Sequence, residues 1–243
     1  MAVSSIPQKK TLKKPVNKIL TIDIGGSNIK ATVLDSEGKI IEPYKKEPTP
    51  IPATPAAVIA AIKKLVSQFT AYDKISVGFP GYVKDGVVYT APNLGKGWEG
   101  TELSKKLSTI FKKPVRLVND ADLQGLGVAK GKGFEILITL GTGFGTAFLM
   151  DGKLLPHMEL AHHPLNGKRD YDDYIGEAKL LKVGKKEWKK RMQKVLGILV
   201  TVFNYDHLYI SGGNADLLTS RLAKNISIVS NKDGIKGGAR LWE

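Results

Sequence analysis

Two stretches of the chain share one pattern of apolar and polar positions. Residues 19–39 read Ile-Leu-Thr-Ile-Asp-Ile-Gly-Gly-Ser-Asn-Ile-Lys-Ala-Thr-Val-Leu-Asp-Ser-Glu-Gly-Lys. Residues 135–153 read Glu-Ile-Leu-Ile-Thr-Leu-Gly-Thr-Gly-Phe-Gly-Thr-Ala-Phe-Leu-Met-Asp-Gly-Lys. Each is a β-rich run, a tight turn of small residues, a second β-rich run, and a Glu-Gly or Asp-Gly turn into a third. Between them, Pro43 to Pro55 holds five prolines and reads as a surface loop. Ala56 to Phe69 is helical in pattern, and Lys74 to Gly81 reads as a strand running into a Gly-Pro-Gly loop. Pro92 to Trp98 reads as irregular and Glu102 to Phe111 as helix. Pro114 to Val118 reads as a strand ending at Asn119-Asp120, with a helix over Ala121 to Ala129. After the second glycine hairpin come a polar, His-rich loop from His157 to Asp170 and an amphipathic helix from about Lys185 to Phe203. Trp188, Met192, Val195 and Leu199 form its apolar stripe, opposite Lys182, Lys186, Lys190 and Lys194. His207 to Gly213 predicts a strand entering a glycine turn, with a helix after it.

Strands and helices alternate throughout, so the class is α/β. The expected organisation is a flexible tail over 1–17, an N-terminal small lobe over 18–118 and a C-terminal large lobe over 119–243. The last residues are free to pack back on the small lobe.

Composition narrows the setting. The 243 residues are enough to bury a sizeable core, and 42% hydrophobic content with 25% charge is ordinary for a globular protein. No apolar run reaches the roughly 18 residues that a membrane span needs, and the lysine-dotted start lacks the apolar core of a secretory signal. Cysteine is absent, which excludes disulfides and thiolate metal sites and fits a cytoplasmic protein. The net charge of +14 makes a polyanionic partner worth considering. Eight basic residues fall in 179–194, without the arginine–aromatic interleaving of a nucleic-acid reader. They read either as a solvated helix face or, with Lys168 and Arg169, as a path for a charged polymer.

The glycine turns carry the chemistry. Without Cβ atoms their backbone N–H groups are unobstructed, and neighbouring hydroxyls add donors, which suits phosphate oxygens. Asp23, at the end of an apolar strand, could hold a Mg²⁺ that bridges phosphates, although the same residues also read as an ordinary turn. A dinucleotide reading of Gly141 to Thr146 fails, because Thr146 stands where a third glycine is needed and a strand pattern follows. Asn119-Asp120 lies at the carboxyl end of a strand, where α/β sheets place ligands. Asp120 is the candidate base for an attacking hydroxyl, or else a helix cap. Glu159 and His162, with Asn93 and Asn119, offer the donors and acceptors that a polyhydroxylated substrate requires. Metal ligation by His157, His162 and His163 is the competing reading, but no Cys is available and such a site would need ordered carboxylate partners.

Eight motifs occur in order: Asp-Ile-Gly-Gly-Ser-Asn-Ile-Lys, Gly-Phe-Pro-Gly, Asn-Leu-Gly-Lys-Gly-Trp, Val-Asn-Asp-Ala-Asp, Leu-Gly-Thr-Gly-Phe-Gly-Thr-Ala, Glu-Leu-Ala-His, Ser-Gly-Gly and Gly-Gly-Ala-Arg-Leu. From Lys18 onward the chain thereby resembles the ROK sugar kinases of the actin-like ATPase superfamily, and within them the polyphosphate glucokinases. The resemblance implies a two-lobed, ribonuclease-H-like fold with a cleft between the lobes. It makes Asp120 the base for the 6-hydroxyl of glucose and Asp23 the Mg²⁺ carboxylate. Asn93, Asn119, Asp120, Glu159 and His162 become the sugar contacts. Gly25, Gly26, Ser27, Asn28, Lys30, Gly141, Thr142, Gly143, Gly212 and Gly213 become the phosphate contacts. Inorganic polyphosphate is the expected donor. ATP, with glucose, mannose or fructose as acceptor, is the alternative, and a non-catalytic sugar-binding regulator is the rival from another class. A homodimer is implied; no membrane or specific nucleic-acid partner is expected. Two departures stand out. The cysteine cluster that binds zinc in most ROK proteins is absent, so no zinc is expected, and Ala161 replaces the glycine of Glu-x-Gly-His. Only some 18 residues precede the first strand, too few for the DNA-binding module of the family's regulators.

Overall fold

A computed structural model describes residues 17–165, 167–218 and 222–243, so the expected tail lies outside the described residues apart from Asn17. The first glycine hairpin forms β1 (Ile19–Ile24), β2 (Asn28–Leu34) and β3 (Ile40–Pro48). Next come α1 (Pro55–Val66), β4 (Lys74–Phe79), a small ladder of β5 (Val83–Lys84) and β6 (Val87–Val88), α2 (Leu103–Phe111) and β7 (Val115–Asn119). Helix α3 (Asp120–Val128) leads to the second glycine hairpin, β8 (Phe134–Leu140), β9 (Phe144–Met150) and β10 (Lys153–Leu154). Helices α4 (Tyr171–Ile175) and α5 (Glu177–Phe203) follow, then β11 (His207–Ser211), β12 (Ile226–Ile228), α6 (Asn231–Gly234) and α7 (Gly237–Arg240).

The strands assemble into two five-stranded sheets of matching order, β3-β2-β1-β4-β7 and β10-β9-β8-β11-β12. In each, an antiparallel hairpin is extended by parallel strands: β4 and β7 in the first, β11 and β12 in the second. The central strands are apolar on both faces because both faces are covered. In β8, Ile136 and Ile138 join a cluster with Trp188, Met192, Val195 and Leu199 of α5, while Leu137 joins Ala121 and Leu126 of α3. All four members of the predicted α5 stripe are fully buried.

Helix α3 lies between the sheets. A Cβ on Gly78 of the first sheet would crowd Leu123, and one on Gly125 would crowd Ala147 of the second. The C-terminal helix packs onto the first sheet: the Ser76 hydroxyl donates to the Gly238 carbonyl at 2.6 Å and accepts from the Trp242 indole at 2.8 Å. A side chain at Gly238 would collide with Thr21, so glycine is required for this approach. Arg240 donates to the carbonyls of Leu126 and Ala129 at 2.7 and 2.8 Å, tying the same helix to the end of α3.

Three expectations need correction. Residues 43–48 are strand, not loop. Strand β3 lies at a sheet edge, paired only with β2, and the register slips between Ala31↔Lys45 and Val33↔Glu42, so Pro43 sits in a bulge. Proline is tolerated at an edge or bulge because no ladder hydrogen bond is lost. After Gly213 there is a single 3₁₀ turn, Ala215–Leu218, where a helix was expected. The predicted long helix does begin at Lys185, but it is preceded by helical residues from Glu177, the two parts being separated at Gly184 (φ 79°, ψ 160°).

Candidate active site

The glycine turns, the N-terminus of α3 and the His-rich loop converge on one cleft of about 290 Å³ between the sheets. Its walls include Gly25, Gly26, Asn93, Asn119, Asp120, Gly141, Thr142, Gly143, Glu159, His162, Gly212 and Gly213. Ser27, Asn28, Lys30 and Asp23 do not reach its walls, although Asp23 stands at the carboxyl end of β1, across the hairpin from Lys30.

Each turn is braced from behind. In the first, the Gly25 N–H closes onto the Asn28 carbonyl at 3.0 Å, while Thr49, just past β3, donates to the Ser27 and Gly25 carbonyls. In the second, the Gly141 N–H closes onto Gly143, and the Glu177 N–H at the start of α5 donates to the Gly141 carbonyl. The Asp172 carboxylate accepts from the Phe144 N–H at 2.7 Å and also lines the cleft. The third turn needs glycine. Gly212 has φ +98°, and a Cβ there would strike the Leu140 backbone. With Gly25 and Gly141 engaged, the amides of Gly26, Thr142 and Gly143 have no partner within the protein among the described residues.

Asn119 caps α3, accepting from the Ala121 and Asp122 amides at 2.7 and 3.3 Å, and its Nδ2 donates to the Gly81 carbonyl at 3.1 Å. One amide hydrogen is left for a ligand. Since Asn119 is the cap, Asp120 is released from that task; among the described residues it accepts only from its own neighbour, the Ala121 N–H, at 2.9 Å. Burial, and then the nearby charge of Asp23, push its carboxyl up to about 7, with Asp122 and Glu159 adding to the effect against the Ala121 N–H. Asp23 is likewise raised by burial, opposed only by Lys30.

The third acidic residue is held differently. His157 keeps the Glu159 carboxyl below its ordinary value, outweighing the effect of burial. The imidazole sits between two carboxylates, its Nδ1 2.9 Å from Asp122 and its Nε2 3.4 Å from Glu159. His162 lies 3.8 Å from Asp170 and is 58% exposed. Asp172, Gln124 and the Asp122–His157 pair are site features that sequence reasoning missed. Asp122 stood within the Val-Asn-Asp-Ala-Asp motif and His157 in the His-rich loop as a candidate metal ligand only, and nothing local paired them.

No helix among the described residues is long and apolar enough to cross a membrane, and no group of three or more His, Asp or Glu side chains there is placed to hold a metal ion. Asp23 is a partly buried carboxylate near a second one, Asp120, which is the kind of oxygen donor set a hard divalent cation takes.

Two matched sheets, each opened by a glycine hairpin, around a shared cleft define the actin-like ATPase fold. The sequence profile of the ROK family matches residues 19–164, and the chain belongs to that family. It is 35% identical over 235 residues to a polyphosphate glucokinase of Mycobacterium leprae, covering 90% of this chain and 72% of the relative. A polyphosphate glucokinase of Mycobacterium tuberculosis is 34% identical over 238 residues, covering 90% and 88%. Among solved structures, the inorganic polyphosphate/ATP-glucomannokinase of Arthrobacter sp. strain KM superposes with a TM-score of 0.83 at 31% identity, over 93% of this chain and 98% of that one. A ROK family glucokinase from Streptomyces griseus, solved with glucose and AMPPNP, gives 0.79 at 22% identity over 93% and 99%, a likeness of fold.

Proposed function

We propose that this protein is a glucokinase that transfers a phosphoryl group to the 6-hydroxyl of glucose, with inorganic polyphosphate as donor. The observation that carries the reading is Asp120, an uncapped carboxylate with a raised proton affinity, facing a cleft whose other walls are glycine turns. Phosphoryl transfer to an alcohol needs little covalent chemistry from the protein. It needs the donor held in line, its charge neutralised and the hydroxyl proton accepted. The amides of Gly26, Thr142, Gly143 and Gly213 orient the terminal phosphates, and Lys30 lends positive charge beside the first turn. Asn93, Asn119, Glu159 and His162 orient the sugar, and Asp120 takes the proton as the oxygen attacks. Asp23 would hold Mg²⁺, which when bound supplies charge neutralisation at the phosphates. The names of the mycobacterial relatives support the polyphosphate donor. The Arthrobacter kinase, named for both donors and for mannose as well as glucose, keeps ATP and mannose as the second reading. A lobe boundary at 118/119, a homodimer and a cytoplasmic setting complete the proposal, the last two on family resemblance alone.

The test is glucose 6-phosphate formation by the purified protein with Mg²⁺, comparing long-chain polyphosphate with ATP, and glucose with mannose. We expect turnover with glucose and a higher kcat/KM for polyphosphate. Product with ATP alone would assign the second reading, and none with either donor would sink the kinase assignment.

A further inference from the structure

The His157 imidazole is enclosed, its side chain 7% exposed. Its Nδ1 is hydrogen-bonded to Asp122 at 2.9 Å, and its Nε2 makes no hydrogen bond among the described residues but lies at ion-pair distance, 3.4 Å, from Glu159. Tyr82, from the loop that follows β4 in the first sheet, stacks on it with ring centroids 6.0 Å apart and planes within 16°. Asp122 comes from α3, one turn behind the Asn119–Asp120 corner of the cleft, and is itself buried. Glu159 comes from the His157 loop and lines the cleft. The charged groups facing the imidazole are therefore Asp122 and Glu159.

From this geometry we infer that His157 is a positioning residue for the acceptor sugar: anchored by Asp122 and Tyr82, it fixes the carboxylate of Glu159 in the orientation that receives the hydroxyls. The inference rests on Glu159 being a sugar contact, as proposed above. Three physical points support it. A carboxylate with 37% of its side chain exposed has several rotamers, and one that must accept from two hydroxyls needs a single orientation. An imidazole hydrogen-bonded to Asp122 and 3.4 Å from Glu159 is attracted to both carboxylates at once only as imidazolium. Burial alone would strip its proton, but Asp122 and Glu159 more than offset that and push it up to about 10. The anchor at Asp122 also ties the orientation of Glu159 to α3, the helix whose first turn carries Asp120, so acceptor and base share one frame.

The experiment is a double-mutant cycle of His157→Gln and Glu159→Gln, with glucose affinity by titration calorimetry, donor KM, kcat and melting temperature for each. A lost charge-assisted contact should weaken glucose by about 10- to 100-fold in each single variant. Because the two act as a unit, the double variant should be within about twofold of the weaker single, and donor KM should stay within about twofold of wild type. Full additivity overturns the inference, as does a His157→Gln protein that binds glucose normally while Glu159→Gln does not. Normal glucose binding by Glu159→Gln would instead sink the reading of Glu159 as a sugar ligand, and the inference with it. Should His157→Gln fail to fold, imidazole ¹⁵N spectra of the wild-type protein decide. At about pH 8, where an ordinary histidine is neutral, both ring nitrogens should be protonated and the Nε2 signal should move on adding glucose. A neutral ring or an unmoved signal overturns the proposal.

Discussion

A base that must accept a proton and later release it works best with a proton affinity near the working pH. Asp120 has that property because it is partly buried near Asp23 and is not spent on capping the helix, Asn119 having taken the N-terminus. Since only the ionised form accepts a proton, kcat/KM for glucose should rise with pH through about 7 and level off above it. Asp120→Asn keeps size and polarity, so fold and glucose binding should survive while kcat falls by roughly 10²–10⁴. Near-wild-type turnover in that variant, or an acid limb that persists in it, would remove Asp120 from the chemistry. At this scale the sequence displayed the residues whose local pattern is itself the signal: the turn glycines, and Asn119-Asp120 at a strand end. It concealed those whose meaning lies in a distant partner. Asp122 and His157 are 35 residues apart, and Asp172 reaches the Phe144 amide across 28, so no spacing rule joins them.

Among the elements, the hairpins and the α5 stripe were legible because periodicity and burial agree there. Strand β3 was not, because proline composition outweighs pattern until the strand is known to lie at an edge. Nor was the first part of α5, Glu177 to Val183, which lies ahead of the helix expected from about Lys185. Gly184 separates the two parts with backbone angles that essentially only glycine adopts, and beyond its own helical neighbours nothing lies within 4 Å of where a Cβ would be. The division is therefore purely conformational. It lets the segment from Glu177 leave the axis of the long helix and brace the second phosphate turn through the Glu177 N–H. Gly184→Ala should lower stability by about 1–3 kcal/mol in urea unfolding, although it removes no contact. An unchanged midpoint would show that the break carries no conformational strain.

Across the whole molecule, +14 of net charge must have somewhere to act. Arg169, Arg191 and Lys194 gather around the ring of Tyr174, in the short helix that also presents Asp172 to the cleft. A polymer leaving the second turn past α4 would meet them. By analogy with counterion release from nucleic acids, KM for long-chain polyphosphate should then climb more steeply with KCl than KM for ATP. The difference should shrink in Arg169→Ala/Lys194→Ala; equal slopes for both donors in the wild type would leave these cations as solvated surface. The closing helix has a consequence of another kind. Ser76 meets its partner Gly238 across 162 residues of chain, so during synthesis on the ribosome the part of the first sheet that α7 covers stays open until the second sheet has been made. The sheet translated first is thus the sheet completed last.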